Sequence, residues 1–358
     1  MKTKDESKQA FKEKGTRDKE QGTRLPTADS QLRTIFMGTP EFAVASLDAL
    51  VQAGYNIVGV ITAPDKPAGR GLKLTESAVK KYAAEKGLHT LQPEKLKNLQ
   101  FIEELAALKA DIQVVVAFRM LPETVWNMPA MGTINLHGSL LPQYRGAAPI
   151  NWAVINGEKE TGVTTFKLQH EIDTGNILLQ ESFPIGDDET AGEVHDRMKE
   201  IGANLLVRTL QGLEDRSLSE KPQSLIVNSE LSIVNEKLQG TDSLLTTQHS
   251  PLKHAPKIFT ETCKIDWNKS VEEIHNLIRG LSPFPAAFTM FNNKTLKIYR
   301  DKKDASPNPS GRQPGSFVTD EKTYLKFVAK DGYIHATEVQ LEGKKKMMIE
   351  EFLRGFRF

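Results

Sequence analysis

The sequence predicts an α/β protein in which a parallel-sheet domain is followed by a small β domain. Over residues 33–216, short apolar runs alternate with helix-like stretches, the order that builds parallel βαβ units. One run, residues 111–117 (DIQVVVA), is apolar through its centre, as a strand buried on both faces would be. Beyond residue 286, several short strand-like runs are separated by Gly and Pro, which is typical of a small barrel.

The first domain opens with a strand and a helix on either side of a Gly-Thr-Pro turn. Its predicted strands cover residues 33–37, 55–62, 89–91, 111–117, 133–136, 161–168 and 176–183. Its predicted helices cover residues 42–53, 77–86, 94–108 and 148–156, followed by a closing amphipathic helix. Thr190 and Glu193 form a capping-box pattern at the start of that helix. We therefore predict a Rossmann-like sheet that binds ligands at the carboxyl ends of its strands.

Three further segments complete the predicted organisation. Residues 1–32 are highly charged and poor in apolar residues, so we expect a disordered tail. Residues 217–253 are rich in Ser, Thr, Gln and Leu, and we interpret them as an interdomain linker. Residues 254–358 contain predicted strands at 287–291, 295–299, 316–318, 324–328 and 333–341, so we expect an OB-like β-barrel. That module holds 18 Lys or Arg and 13 Asp or Glu, and this basic excess indicates a polyanionic partner.

Composition and motif content exclude several classes of protein. The single cysteine, Cys263, rules out an internal disulfide framework and indicates a reducing, cytoplasmic location. No apolar run reaches the length of a membrane span, so we expect no membrane partner. Separately, we expect the protein to be a monomer. No P-loop motif occurs, and residues 37–40 (MGTP) supply one of the three glycines of a dinucleotide fingerprint. The eight histidines form no compact ligand motif, so we expect no metal.

Three polar residues near predicted strand ends are the candidate catalytic group. Asn135 and His137 lie two residues apart at the end of one strand, and Asp173 lies in the loop between the next two. An amide and an imidazole can donate hydrogen bonds to the oxyanion of an acyl transfer, and a carboxylate can orient the imidazole and assist proton movement. The Asn and His also fit a structural turn, and the His and Asp fit half of a metal site.

A long loop at residues 63–74 follows the carboxyl end of the second predicted strand, so we expect it to lie on the ligand-binding side of the sheet. It combines Gly, Pro and several charged residues, with Arg70 between two glycines. The loop fits a solvated surface segment and equally fits a basic finger whose backbone approaches a phosphate-bearing partner closely.

A set of motifs extends along the chain: GTPEF at 38–42, PDKPAGRG at 64–71, NLHGSLLP at 135–142, YRGAAP at 144–149, DTG at 173–175, KIDW at 264–267 and GKKK at 343–346. As a set they resemble the formyltransferase superfamily that uses 10-formyltetrahydrofolate. Within it they resemble most the members that formylate the methionine carried by initiator tRNA. The resemblance covers residues 33–358.

The resemblance implies roles for three groups of residues. It implies that Asn135, His137 and Asp173 are catalytic. The residues implied to bind the folate are Phe118, Arg119, Met120, Leu121, Ser139, Leu140, Leu141 and Pro142. The residues implied to contact tRNA are Lys66, Arg70, Lys73, Lys344, Lys345 and Lys346.

The implied reaction transfers a formyl group from the co-substrate 10-formyltetrahydrofolate to the α-amino group of initiator methionyl-tRNA at the start of translation. Two alternatives keep parts of this interpretation. The same chemistry could act on another acceptor, such as a sugar amine, a glycinamide ribotide or water. An RNA-binding protein without catalysis would keep the barrel alone, although the intact Asn, His and Asp set argues against it.

Overall fold

The computed structural model of the chain describes residues 31–68, 73–224, 252–307 and 311–356. Its strands are β1 (Arg33–Gly38), β2 (Asn56–Ile61), β3 (Lys66–Ala68), β4 (Lys73–Thr75), β5 (Thr90–Leu91), β6 (Ile112–Val116), β7 (Thr133–His137), β8 (Arg145–Gly146), β9 (Glu160–Lys167), β10 (Ile177–Pro184), β11 (His254–Ala255), β12 (Ala287–Phe291), β13 (Lys294–Asp304), β14 (Phe317–Thr319), β15 (Leu325–Val328), β16 (Tyr333–Leu341) and β17 (Met347–Met348). Its helices are α1 (Glu41–Gln52), α2 (Ala78–Glu85), α3 (Leu99–Ala107), α4 (Glu123–Trp126), α5 (Pro149–Ile155), α6 (Ala191–Glu214), α7 (Thr260–Cys263), α8 (Val271–Leu281) and α9 (Ile349–Arg354).

The first domain is built on a seven-stranded sheet in the order β10-β9-β7-β6-β1-β2-β5. Its five central and far-edge strands, β7, β6, β1, β2 and β5, pair in parallel. The last two strands of this sheet in chain order, β9 and β10, run antiparallel to their neighbours. The predicted α/β fold with a Rossmann-like sheet is therefore confirmed, with an antiparallel pair added at one edge.

Both faces of this sheet are covered because successive side chains of a strand point in opposite directions. Along β1, Phe36 packs into a core formed with α1 and α6, whereas Ile35 and Met37 pack into a second core with α3 and α4. The predicted capping box of α6 is present, since the Thr190 hydroxyl accepts from the Glu193 amide and the Glu193 carboxylate accepts from the Thr190 amide.

The second domain is an antiparallel sheet in the order β12-β13-β16-β15-β14, with β17 paired to β16. Helix α8 covers it, and its apolar residues join those of the sheet in one core. Trp267 anchors this core by stacking on Phe327 at 4.7 Å and donating from Nε1 to the Thr289 hydroxyl at 2.9 Å. Within the described residues, the edge strands β12 and β14 do not pair with each other, so the predicted barrel is open.

The two domains are joined by direct contacts between α5 and α8. The Asn151 side chain donates to the Gly280 carbonyl at 2.8 Å. A Cβ on Gly280 would lie 2.8 Å from the backbone nitrogen of Ile155, so only glycine allows this approach of the helices. Nearby, the guanidinium of Arg279 donates to the carbonyls of Gly186 and Glu189 at the turn before α6. These hydrogen bonds fix the second domain on the first.

Some boundaries differ from the sequence-based prediction. Helix α3 begins at Leu99 rather than at residue 94, because the Asn98 side chain caps its first amides. Strand β13 continues to Asp304, five residues beyond the predicted end, because the long strand β16 supplies partners as far as Tyr333. The charged sequence of residues 300–304 hides this extension.

The predicted flanking segments are partly described. Residues 1–30 of the predicted tail lie outside the described residues, and Leu32 at its end is 1 % exposed in the first core. Of the predicted linker, residues 225–251 lie outside the described part, whereas both of its ends pack on the first domain. Lys221 exchanges two backbone hydrogen bonds with Ile177, and the Lys253 carbonyl accepts from the Tyr144 amide.

Candidate active site

The candidate catalytic residues lie at the carboxyl edge of the parallel strands. Gly38 pairs with Val116, and Val116 pairs with Leu136, so the turns after β1, β6 and β7 lie side by side. Asn135 and His137 are two residues apart on β7, and their side chains therefore project from the same face of the sheet. This is the edge at which open parallel sheets bind ligands.

The loop between β9 and β10 folds back to bring Asp173 to His137. Its Oδ2 lies 3.9 Å from Nδ1 of His137 and accepts a hydrogen bond from the Gly146 amide at 3.0 Å. Asp173 has a φ of 55°, in the left-handed region that a non-glycine residue seldom adopts. Next in this turn, Gly175 lies so close to the backbone of Lys167 that a Cβ would be 1.6 Å from its carbonyl oxygen. The backbone conformation of this loop is therefore tightly constrained at Asp173 and Gly175.

The His137 ring is buried, at 7 % exposure, and has different surroundings at its two nitrogens. Nε2 lies 3.0 Å from the Tyr144 carbonyl oxygen, and because a carbonyl can only accept, Nε2 carries a proton. Nδ1 faces the Asp173 carboxylate. The edge of the ring meets Phe166, with centroids 6.5 Å apart at 82°. In the neutral ring, Nδ1 is therefore the nitrogen that can take up a proton, and Asp173 is placed to stabilise the resulting charge.

The Asn135 side chain is half-buried. Within the described part of the chain it makes no hydrogen bond, so its amide can donate to a ligand. Because an unpaired amide in a partly desolvated place is costly unless something binds it, this arrangement suits a hydrogen bond to a developing oxyanion.

Residues 139–142 form a buried support under the catalytic strand. The Ser139 hydroxyl donates to the Gln143 carbonyl, and the Ser139 carbonyl accepts from the Thr164 hydroxyl at 2.7 Å. The Leu141 amide donates to Thr164, and its carbonyl accepts from Gln180 at 2.9 Å. The side chains of Ser139, Leu141 and Pro142 are buried and that of Leu140 is half-buried. These hydrogen bonds hold the segment in place, and its contact with folate stays a prediction.

The 118–121 loop after β6 presents a different surface. Among the described residues, nothing hydrogen bonds to the main chain of Phe118, Arg119, Met120 or Leu121, which leaves these amides and carbonyls open to a ligand. Met120 is 74 % exposed. The guanidinium of Arg119 donates to the carbonyls of Pro93 and Glu94 and lies over the Phe118 ring, 5.5 Å from its centroid. Burial lowers the pKa of Arg119 from its usual value.

The 118–121 loop and the Asp173 loop meet at the rim of the site. His170 Nδ1 lies 3.7 Å from the Glu123 carboxylate, directly beyond the first loop, and Ile172 on the second loop is 60 % exposed. Exposed apolar side chains beside free main-chain groups fit a planar heterocycle that has apolar faces and hydrogen-bonding edges, as a pterin has.

The predicted tRNA-contacting residues lie on two separate elements. Lys66 is exposed on the β3–β4 hairpin, Arg70 lies outside the described residues, and only the backbone of Lys73 is described. In the second domain, Lys346 pairs with Glu338 at 3.0 Å and lies over the Tyr299 ring. Lys345 is 3.9 Å from Glu351, and Lys344 is exposed without an ion pair to any described residue.

No group of three or more His, Cys, Asp or Glu side chains in the described ranges is arranged to hold a metal ion. The expectation of metal-free catalysis remains a prediction. In the same ranges, no helix is both long enough and apolar enough to cross a bilayer.

Comparison with known proteins places this chain in a family. The model of the Formyl transferase family matches residues 32–210, and that of the Formyl transferase, C-terminal domain matches residues 257–357. A methionyl-tRNA formyltransferase of Parabacteroides distasonis is 52 % identical over 332 residues, which cover 91 % of this chain and 96 % of that protein. One of Bacteroides fragilis is 49 % identical over 330 residues, covering 91 % and 95 %. The chain belongs to the methionyl-tRNA formyltransferase family. This confirms the resemblance inferred from the motifs and makes the chain a formyl-transferring enzyme.

Solved structures share the fold of this methionyl-tRNA formyltransferase family member at low sequence identity. WlaRD, a sugar 3N-formyl transferase crystallised with dTDP and 5-N-formyl-THF, aligns with a TM-score of 0.60 at 21 % identity, covering 88 % of this chain and all of that chain. HypX from Aquifex aeolicus in complex with tetrahydrofolic acid aligns at 0.56 and 17 %, covering 91 % and 48 %. At these identities the likeness shows the fold alone.

Several residues that shape the site of this family member were not predicted. Thr164 and Gln180 hold the 139–142 support, and the Tyr144 carbonyl fixes the His137 ring. The amide of Gln223, a residue of the predicted linker, donates to the Asp173 carbonyl at 2.9 Å. The position of a backbone carbonyl cannot be read from the sequence, and nothing in the composition of the linker distinguishes Gln223 from its other polar residues.

Proposed function

We propose that this enzyme transfers the formyl group of 10-formyltetrahydrofolate to the α-amino group of methionine on initiator tRNA. The observation that carries the proposal is the free, half-buried amide of Asn135 beside the paired His137 and Asp173. Relatives named methionyl-tRNA formyltransferase, 49–52 % identical over nine-tenths of the chain, support this choice of acceptor.

The reaction needs a neutral amine, a stabilised oxyanion and a path for one proton. The amine attacks the formyl carbon, a carbon–nitrogen bond forms, and the Asn135 amide donates to the oxygen that becomes negative. The amine proton passes to Nδ1 of His137, and Asp173 stabilises the charged ring. The bond from the formyl carbon to the folate nitrogen then breaks, and that nitrogen receives the proton. No covalent enzyme intermediate and no metal are required.

The folate would bind against the open main chain of Phe118, Arg119, Met120 and Leu121, above the support formed by Ser139, Leu140, Leu141 and Pro142. The tRNA would be held through its phosphates by two basic elements: Lys66, Arg70 and Lys73 on the first domain, and Lys344, Lys345 and Lys346 on the second. Phosphate contacts release counterions, so tRNA binding would weaken as the salt concentration rises. We propose that the enzyme acts as a monomer in the cytoplasm.

An acceptor assay tests this function. The purified enzyme is incubated with 10-formyltetrahydrofolate and, in separate reactions, with initiator methionyl-tRNA, a nucleotide-linked amino sugar, or no acceptor. We expect formylmethionyl-tRNA only in the first. Formylation of the sugar amine at a higher kcat/KM would favour a sugar N-formyltransferase, a class whose structures share this fold. Release of formate without an acceptor would identify a hydrolase, and tRNA binding without turnover an RNA-binding protein.

A further inference from the structure

One side chain of the predicted linker, that of Gln223, is buried between the Asp173 loop and Arg145. Gln223 is only 4 % exposed, although it lies in a polar segment beyond the last helix of the first domain. Its amide nitrogen donates to two carbonyls of the Asp173 loop, that of Asp173 at 2.9 Å and that of Gly175 at 2.8 Å. Its amide oxygen accepts from the Arg145 guanidinium at 3.1 and 2.5 Å. All the hydrogen-bonding capacity of one side chain is therefore used at the site.

The two segments that Gln223 connects are the two that hold the Asp173 carboxylate. Asp173 itself lies on one, and Gly146, whose amide donates to the carboxylate, directly follows Arg145 on the other. Gln223 therefore fixes both the residue that carries the charge and the strand that orients it. Burial lowers the pKa of Arg145, while the charge of Asp173 acts in the opposite direction.

The conformation of the Asp173 loop explains why it depends on the hydrogen bonds of Gln223 to Asp173, Gly175 and Arg145, which we call the brace. Asp173 has a φ of 55°, which costs free energy for a residue with a side chain. Its carbonyl and that of Gly175 point to the same donor, so a single amide group satisfies two acceptors in a partly buried turn. Without that donor the two carbonyls would lose this hydrogen-bond partner, which destabilises the observed conformation of the turn. The turn would then relax towards solvent and carry the carboxylate with it.

We propose that Gln223 is a positioning residue that sets the placement of Asp173 against His137 through the main chain of the Asp173 loop. Gln223 does not touch the reacting atoms. The proposal rests on the proposed formyl transfer for its kinetic consequence, while its structural consequence is independent of the substrate.

The chain offers a matched control three residues earlier. Glu220 anchors the same segment to the two ends of the loop that carries Asp173, since its carboxylate pairs with Lys167 at 2.6 Å and accepts from the Asn176 amide at 3.0 Å. It makes no hydrogen bond or ion pair with Asp173, Gly175 or Arg145 in the described structure. Loss of Glu220 weakens the docking of the segment and leaves the brace in place, whereas loss of Gln223 removes the brace.

The test compares Gln223→Met and Gln223→Glu with Glu220→Gln. Methionine fills the volume without hydrogen bonds, and glutamate keeps the acceptor for Arg145 but turns an oxygen towards the two carbonyls. We expect both Gln223 variants to lower kcat about 10- to 100-fold, as misplacement of a catalytic group by ~1 Å does. We expect KM for tRNA and folate to change little and Glu220→Gln to retain kcat.

Hydrogen exchange of the peptide covering residues 168–177 provides a readout that needs no turnover. We expect faster exchange there in both Gln223 variants and wild-type exchange in Glu220→Gln. Wild-type kcat and exchange in Gln223→Met would overturn the proposal, and so would an equal loss of kcat in Glu220→Gln. If the wild-type enzyme failed to formylate methionyl-tRNA, the proposed function would fall, while the exchange comparison would still decide the role of Gln223.

Discussion

The imidazole of His137 donates a hydrogen bond from Nε2 to the backbone carbonyl of Tyr144 at 3.0 Å. That proton is not available for a hydrogen bond to a substrate, so in the proposed mechanism the nitrogen that acts is Nδ1, on the side of Asp173. We expect the neutral ring to carry its proton on Nε2, because the carbonyl accepts hydrogen bonds only. Nitrogen NMR of the histidine rings checks this, with His137→Gln used to assign the signal. A neutral ring protonated on Nδ1 would contradict the role given to that atom.

Replacing Asn135 by alanine separates catalysis from stability. We expect Asn135→Ala to lower kcat by roughly 10²–10³-fold, the usual effect of losing one oxyanion donor. The unfolding midpoint should stay close to that of the wild type, because the Asn135 amide has no hydrogen-bond partner among the described residues. Single-turnover formylation and denaturant unfolding of the same variant provide the two measurements. Turnover within a few-fold of wild type would exclude Asn135 as the oxyanion donor.

Gly146 is required both by its conformation and by its surroundings. Its φ is 128°, and a Cβ would lie 2.4 Å from the Ala255 carbonyl oxygen. We expect Gly146→Ala to cost about 1–3 kcal/mol of unfolding free energy and to reduce kcat, because the displaced amide donates to Asp173.

Gly132→Ala is the control for Gly146→Ala. Gly132 also has a positive φ, of 78°, but a Cβ there would meet no atom within 4 Å. Backbone strain alone should lower stability and leave kcat unchanged. A similar loss of kcat in both variants, measured by steady-state formylation, would show that the effect of Gly146 is not specific to the site.

A buried ion pair at the domain interface should make stability depend on pH. Nδ1 of His275 donates to the Asp301 carboxylate at 3.0 Å, and Nε2 donates to the Asp187 carbonyl at 3.1 Å, so the ring is held protonated. Burial alone would lower the pKa of His275, but these partners outweigh it and raise the pKa above its usual value. The charged groups that also face the ring are Asp188, Glu272 and Lys303.

The sign of this dependence follows from the raised pKa of His275. Its contribution to stability is complete below the unfolded pKa of about 6.5 and is lost as the pH rises through the higher folded value. We expect the thermal midpoint to fall between about pH 6.5 and alkaline pH, and His275→Gln to flatten that fall. Calorimetry across this range measures both proteins. An unchanged slope in His275→Gln would assign the dependence to other groups.

The three lysines of the 343–346 turn should not contribute equally to tRNA binding. All three are exposed, but Lys346 pairs with Glu338 at 3.0 Å and lies over the Tyr299 ring, whereas Lys345 is 3.9 Å from Glu351 and Lys344 has no ion pair to a described residue. We expect Lys344→Ala and Lys345→Ala each to raise KM for tRNA and to reduce the slope of log affinity against log salt by about 1. Lys346→Ala should lower stability more than affinity. Filter binding at several salt concentrations measures these slopes. A wild-type slope in every variant would show that the turn does not contact tRNA.

The sequence predicted the parts of the molecule that depend on local patterns. Apolar strands and the Thr190 capping box were readable, and Asn135 and His137 could be placed at a strand end because the pattern of β7 is short and clear. The charged end of β13 was not readable, because only its pairing with β16 makes it a strand. The contact of Gln223 with Asp173 spans 50 residues of sequence and depends on the fold itself.

Both ends of the segment between the domains meet at Arg145. The side chain of Arg145 binds Gln223, and its backbone pairs with His254 in β8 and β11. The chain that leaves the first domain therefore returns to its point of departure before the second domain begins. Because both described ends are held at Arg145, we expect a reporter peptide inserted between them to lie beside the candidate active site without separating the domains.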